Sequence, residues 1–240
     1  MKESPTKKKD NGLNNLIINI VIPALILMKG AKWATKLGIE VSSVQILILA
    51  LSLPLLYGLY DLIVNKEKNF IAVLGFVSIL LSGIVGVLKL STDLIAIKEA
   101  AIPFIIGCVI YFSNFTSYPI APKFLYHDEI FDKENINSRL DLEKQNTLKS
   151  NIKKASFFLF LSFMLSAFLN YVLAKYFVKS PTGTEAFNDE LGQMTLYSYP
   201  IIVIPSMLIM GGIIWYIYNS IKKLSGLDSN GIFRFKKEED

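Results

Sequence analysis

The stretch FIAVLGFVSILLSGIVGVLKLSTDLIAIKEAAIPFIIGCVIYFS, Phe70 to Ser113, holds two apolar runs separated by a short polar joint, Lys89 to Asp93. A hydrocarbon core about 30 Å thick takes roughly 20 mostly apolar residues in a helix. Each run meets or approaches that length, from Phe70 to Lys89 and from Leu94 to Ser113. Backbone groups in lipid must be paired within the segment, and no alternating barrel pattern is visible, so both runs are expected as helices. Working outward, the same test finds Leu13 to Lys29, Val41 to Val64, Ala155 to Val178 and Thr195 to Ile221. The expected fold is therefore all-α: a polytopic membrane bundle of six transmembrane helices, several of them proline-kinked.

Composition agrees, with 52% hydrophobic residues among 240 and a mean hydropathy of +0.44, bunched into long runs between short charged stretches. The basic balance, pI about 9.1, does not mark a nucleic-acid binder, because most lysines flank apolar runs where headgroups lie. Cys108 is the only cysteine and His127 the only histidine, which leaves no intramolecular disulfide and no thiolate or histidine-rich metal centre. No catalytic or cofactor motif is visible, and no enzymatic activity is expected. The first run is followed by no small-x-small cleavage site and reads as an uncleaved span.

Lysine and arginine set the orientation. One side collects Lys2, Lys7, Lys8, Lys9, Lys66, Lys68, the basic residues between Lys123 and Lys154, and those from Lys222 to Lys237; the other has Lys29, Lys32, Lys36, Lys89 and Lys179. Both termini are expected in the cytoplasm of a bacterial cell, the protein lying in its inner membrane. The organisation is then a basic tail over 1–12, four spans over 13–113, a charged cytoplasmic loop over 114–154, two spans over 155–221 and a tail over 222–240.

IVIPALILMKG, Ile20 to Gly30, returns as IVIPSMLIMGG, Ile202 to Gly212. An inverted three-plus-three repeat would match the first span with the fourth, not the sixth. Ile-Pro also occurs at Pro103 and Leu-Pro at Pro54, so apolar-proline is a device spread through the bundle. Proline removes a backbone donor and bends a helix, a loss that neighbouring helices can repair. Kinks at Pro23, Pro54, Pro103 and Pro205 give either a bundle of bent helices or, where those at Pro23, Pro103 and Pro205 cooperate, a central cavity.

Ionisable residues inside spans are costly, about 2.5 to 3.5 kcal/mol each at a helix centre on insertion scales. Asp61 sits near the cytoplasmic end of the second span, next to the belt tyrosines Tyr57 and Tyr60 and within reach of Lys66 or Lys68, as an interfacial carboxylate or a functional one. Lys98 and Glu99 lie about one turn into the fourth span; adjacent residues point about 100° apart, so each is expected to need its own partner. Lys98 can snorkel outward and glutamate cannot easily do so, which favours Glu99 as the functional group. Asn170 and Lys175 stand near the outer end of the fifth span. The loop after it adds Glu185, Asp189 and Glu190, which either converge with Lys98 and Glu99 or are simply solvated. Ser82 and Gly86 form a small-xxx-small face suited to internal packing or a dimer.

In the cytoplasmic loop, Asp132 can cap a helix, and Ile136, Leu140, Leu148 and Ile152 fall at helical spacing, so one helix is expected to lead into the fifth span. Its surface is large enough to dock a partner and too small for an enzymatic core.

YGLYDLI, the run from Asn69 to Ser113, SYPIAPKFLY and FLSFMLSAFLNYVLAKYF together resemble the bacterial inner-membrane family of intracellular septation protein A, and its six-span relatives of unassigned role, some of them labelled transporters. The resemblance runs from about Leu53 to Val178. It rests on Asp93 with Lys98, the stretch around Lys123, and Asn170 with Ala174; SPTGTEAFNDELGQMT and PSMLIM fit the six-span relatives. It implies a non-catalytic role organising envelope synthesis or division through membrane-protein partners, with the lipid bilayer as surroundings, no cofactor, and homo-oligomerisation as an open alternative. The competing expectation is a small secondary transporter with a polar site around Glu99, Lys98 and Asn170.

The topology is testable directly. A cysteine replacing Glu185 is expected to react with a membrane-impermeant maleimide in intact cells, and one replacing Asn137 only after permeabilisation. The reverse pattern would invert every assignment above.

Overall fold

The computed structural model describes residues 17–64 and 70–234, with side chains described outside 61–76. A single turn of π-helix, Ile17–Val21, runs into α1, Ile22–Lys36; then follow α2, Ser43–Val64, α3, Phe70–Val87, α4, Asp93–Ser113, and two short helices, α5, Ala121–Leu125, and α6, Lys133–Ser138. Two long helices, α7, Leu142–Phe177, and α8, Glu185–Ser225, precede a last turn, α9, Ser229–Ile232. Among the described residues there is no strand beyond an isolated bridge between Phe131 and Phe233.

Among the described residues, five segments are long and apolar enough to cross a membrane: Ile17–Lys36, Ser43–Tyr60, Asp93–Ser113, Leu142–Phe177 and Glu185–Ser225. Helix α3 coincides with the third expected run and spans 18 residues. Large apolar side chains such as Leu56, Phe104, Met207 and Leu208 lie on the surface, which suits hydrocarbon and not water.

Local chemistry sets the helix ends. Ser42 and Gln45 form a reciprocal box at the start of α2: the Ser42 N–H donates to Gln45 Oε1 at 2.8 Å and the Gln45 N–H to Ser42 Oγ at 3.3 Å. Asp132 caps α6 by accepting the Asn135 N–H, and Asp141 caps α7 by accepting the Lys144 N–H at 2.9 Å. Helix α3 ends in a Schellman turn, with the Leu90 N–H on Val85 O at 2.9 Å and Lys89 at φ 53° in the position glycine usually takes.

The chain divides into two compact units. Unit one comprises the chain up to Glu99 together with Tyr171–Pro200; unit two comprises Ala100–Asn170 and the chain from Ile201. Unit one packs around Leu27, Leu47, Val85, Ile95, Phe187 and Leu191. Here α8 comes against α1 at Gly192, where an added Cβ would lie 2.7 Å from Met28 Cγ and 2.8 Å from the Ala24 carbonyl oxygen. Gly86 packs on Leu47 and Phe187, and Ser82 is buried, so the Ser82–Gly86 face serves packing within the unit.

Unit two packs around Ile110, Leu125, Phe131, Ile152, Ile217 and Ile232. Its small polar-side core joins the 114–154 loop to the segment after α8. The Asp132 N–H donates to Ile232 O and the Arg234 N–H to Ile130 O, both at 2.9 Å, while the Phe131 and Phe233 rings stack at 5.5 Å.

Two expectations are corrected. The helix leading into the fifth span is not one but two, because the Asp141 cap and the Gln145 side chain, which donates to Leu140 O at 3.1 Å, restart the backbone after Arg139; Ile136, Leu140, Leu148 and Ile152 are nevertheless all buried. Glu185, Asp189 and Glu190 lie not in a loop but in the first turns of α8, which Thr184 starts by accepting the Phe187 N–H at 3.1 Å.

Gly192→Ala is expected to lower stability by roughly 1–3 kcal/mol through overpacking against a backbone oxygen. Gly212→Ala, where nothing lies within 4 Å of the added carbon, should be neutral or stabilising. Equilibrium unfolding of both variants in mixed detergent checks the contrast.

Candidate functional site

Lys98 lies six residues into α4 and is buried. An ammonium in such a place needs acceptors for three N–H bonds. It donates to Ser82 Oγ at 2.6 Å and to Ser78 Oγ at 3.2 Å, with Ser78 O at 3.4 Å. The third partner is Glu99 Oε1 at 2.6 Å. Ser78 and Ser82 stand four apart on α3, one turn above the other, so both face the same ammonium.

Lys98 and Glu99 therefore pair with each other, contrary to the expectation from their 100° separation. That angle describes where the Cβ atoms point. The lysine stem and the two methylenes of glutamate are long enough to curl around the helix and meet beside it, and once both are withdrawn from water, pairing costs far less than leaving either charge alone. Lys98 consequently turns inward and does not snorkel.

The pair borders a cavity of about 130 Å³ wholly within unit one. Its polar lining is Lys98, Glu99, Ser78, Ser82, Asn19 and Thr195; Pro23, Pro54, Leu27 and Met194 supply apolar wall. Leu51, Pro54, Ser78 and Ser82 lie about two to three turns into α2 and α3, so the cavity is set well inside the helices and not at their ends. A polar, partly enclosed space with a charged pair in its wall can hold a small polar or charged solute, or water, by replacing its hydration with fixed donors and acceptors.

The other residues singled out from the sequence distribute differently. Lys175 pairs with Asp93 at 2.6 Å and not with Lys98 or Glu99; both are well exposed, and such a pair contributes little. Glu190 accepts the backbone N–H groups of Lys179 and Ser180 at 2.8 Å each, so it holds the turn between α7 and α8. Asn170 belongs to unit two, where its amide donates to Ser166 O in its own helix at 2.8 Å. Asp61 falls in α2, and its side chain lies outside the described residues. Pro23 stands in the first turn of α1, Pro54 and Pro103 inside α2 and α4, and Pro205 within α8.

Sequence reasoning passed over Ser78, Asn19 and Thr195, and saw Ser82 only as a small residue. The available signal was the lysine itself: a buried ammonium demands hydroxyl or carboxylate partners, and α3 offers two serines at i and i+4. Among the described residues no group of three or more His, Cys, Asp or Glu is arranged to hold a metal ion. No protein-family model, curated protein or solved structure matches the chain.

Lys98→Leu is expected to destabilise by up to roughly 3 kcal/mol, because it strands Glu99 and two serines that the ammonium now joins. The double variant Lys98→Leu/Glu99→Leu should cost less than the sum of the single changes. A double-mutant cycle by equilibrium unfolding reads that coupling, and additive costs would mean that the pair is not formed.

Proposed function

We propose that the chain is a six-span protein of the bacterial inner membrane, with both termini cytoplasmic, whose cavity at Lys98 and Glu99 binds a small polar solute and passes it across the bilayer as a secondary carrier. The observation that carries this reading is a buried lysine–glutamate pair bordering a polar cavity several turns deep in apolar helices. Charge placed there is costly unless it has a task or a complete set of partners, and Glu99, which lines the cavity, retains some exposure, 22%. A carrier must bind and release; it needs no covalent chemistry, and no catalytic role is proposed.

Several features support the finer parts of the reading. The 18 residues of α3 suffice for the sixth crossing. Lysine and arginine distribution supports cytoplasmic termini. The packing of the 114–154 loop on the segment after α8 is what two segments on the same side of a membrane would do.

A second reading, the organising role implied by the resemblance to septation protein A, is favoured by that same packing. It gives the loop a folded core and hence a defined face for membrane-protein partners, or for a second copy of the chain.

The test is ligand-dependent stabilisation of the purified full chain against small zwitterions, carboxylates and ammonium compounds. A true ligand at a hundred times its dissociation constant stabilises by about 2.7 kcal/mol, and Glu99→Gln should abolish the effect while the protein remains inserted and abundant. If no compound stabilises it, and crosslinking instead recovers envelope-synthesis or division proteins that are lost when 114–154 is replaced, the organising reading stands in place of the carrier.

A further inference from the structure

Unit two contains a second, larger cavity, about 420 Å³, wholly outside the Lys98 site. Two lysines, Lys149 and Lys153, line it from successive turns of α7, and Asn137 and Tyr126 line it from the loop. Lys149 and Lys153 have no carboxylate partner among the described residues; the Lys153 ammonium rests over the Phe115 ring at 4.6 Å. Tyr126 is 8% exposed, and its hydroxyl is buried without a hydrogen-bond partner among the described residues. Buried hydroxyls are normally paired; this one is unpaired and belongs to a residue that lines the cavity, so an acceptor atom seated beside that ring would complete it.

The charged groups here are both cationic, and the lining amides of Asn114, Asn137 and Gln145 are neutral. The two ammonium groups bring positive charge, Asn137 can offer an amide N–H, and the phenol an O–H. The carboxylates near the phenol are already engaged: Asp128 with Lys133 at 3.1 Å, and Asp132 with the Asn135 N–H. Burial first, then the negative charge of Asp128 and Asp132, pushes the Tyr126 pKa up to about 12, so at neutral pH the phenol stays a hydroxyl. The apolar remainder of the wall includes Pro119 and Pro122, and Phe115, Tyr118 and Phe124 stand exposed in the same stretch of chain. Aromatic side chains next to basic ones are the usual makeup of a surface at headgroup level.

We propose that this cavity is a binding site for a phosphate ester, with Lys149, Lys153 and the Tyr126 hydroxyl holding the phosphate oxygens and the proline-lined wall taking the organic part. A phosphate presents several acceptor oxygens at once and matches converging N–H and O–H donors better than a single carboxylate does. The cavity exceeds what inorganic phosphate fills, which is why an ester is specified. The ester can come from a lipid headgroup or from a soluble metabolite, and the chemistry of recognition is the same.

The experiment uses the full chain in dodecyl maltoside, which carries no phosphate. Dihexanoyl phosphatidic acid, glycerol 3-phosphate and inorganic phosphate are titrated separately and followed by phosphorus NMR line broadening and thermal unfolding. Phosphatidic acid is expected to bind, and the double variant Lys149→Gln/Lys153→Gln to weaken it about tenfold or more. Tyr126→Phe, which keeps the ring packing, should weaken it severalfold, and Lys154→Ala, outside the cavity, should not. Binding of the lipid alone identifies a headgroup site; equal binding of glycerol 3-phosphate identifies a soluble ester. The proposal is overturned if none of the three probes binds the unaltered protein, if inorganic phosphate binds as well as either ester, or if the lysine double variant binds as the parent does. Because both lysines are exposed, unchanged circular dichroism is expected and separates loss of binding from loss of fold.

Discussion

A buried ammonium must find its acceptors before lipid surrounds it, and in unit one that requirement falls on Lys98. Two of the acceptors sit on α3 and one on α4, so the ammonium fixes the rotation and height of one helix against the other. A slide of α3 by one residue would turn Ser78 and Ser82 about 100° away and leave the charge unpaired. The Schellman turn at Lys89 sets the length of the hairpin to the same register, and Thr182, which donates to Leu90 O at 2.7 Å, ties the turn between α7 and α8 to it. The cavity is the space that remains once those constraints are met.

Proline borders the same cavity. Pro23 and Pro54 both border it; Pro54, inside α2, lacks the N–H that would have bonded the Ala50 carbonyl, while Pro23 stands in the first turn of α1, where no such bond is lost. Asn19 lies in the π-helical turn Ile17–Val21, a widened turn of the kind often found at functional sites. A carbonyl released in this way is costly against hydrocarbon and much less so beside a polar space. Two prolines thus border the polar cavity, although the sequence presents prolines and intramembrane charges as unrelated features.

The lengths and apolar character of the spans were legible because lipid imposes them directly on composition. The Asp132 cap and the buried set Ile136, Leu140, Leu148 and Ile152 were legible too, since helical spacing survives even where the helix is broken. That same survival hid the break at Arg139: the apolar phase runs on across it, and only Asp141, a second cap, gave it away. The Lys98–Glu99 pair escaped because a rule about Cβ directions was applied to side chains long enough to ignore it. The tail looked merely charged, yet its Ile232 and Phe233 are apolar residues with a place to go.

The bridge between the loop and the tail has a consequence for how the protein is made. Asn135 and Gly231, joined by a hydrogen bond at 2.8 Å, are 96 residues apart, and everything between them includes two long apolar helices. The loop leaves the ribosome early but lacks the residues that cover Phe131 until α8 has been synthesised and placed. Its core thus closes last, and only if both intervening helices have crossed so as to return the chain to the side where it left. A folded loop–tail core is in this sense a receipt for completed insertion: a chain with a missed crossing keeps Phe131 uncovered, where quality-control proteases act on exposed apolar segments.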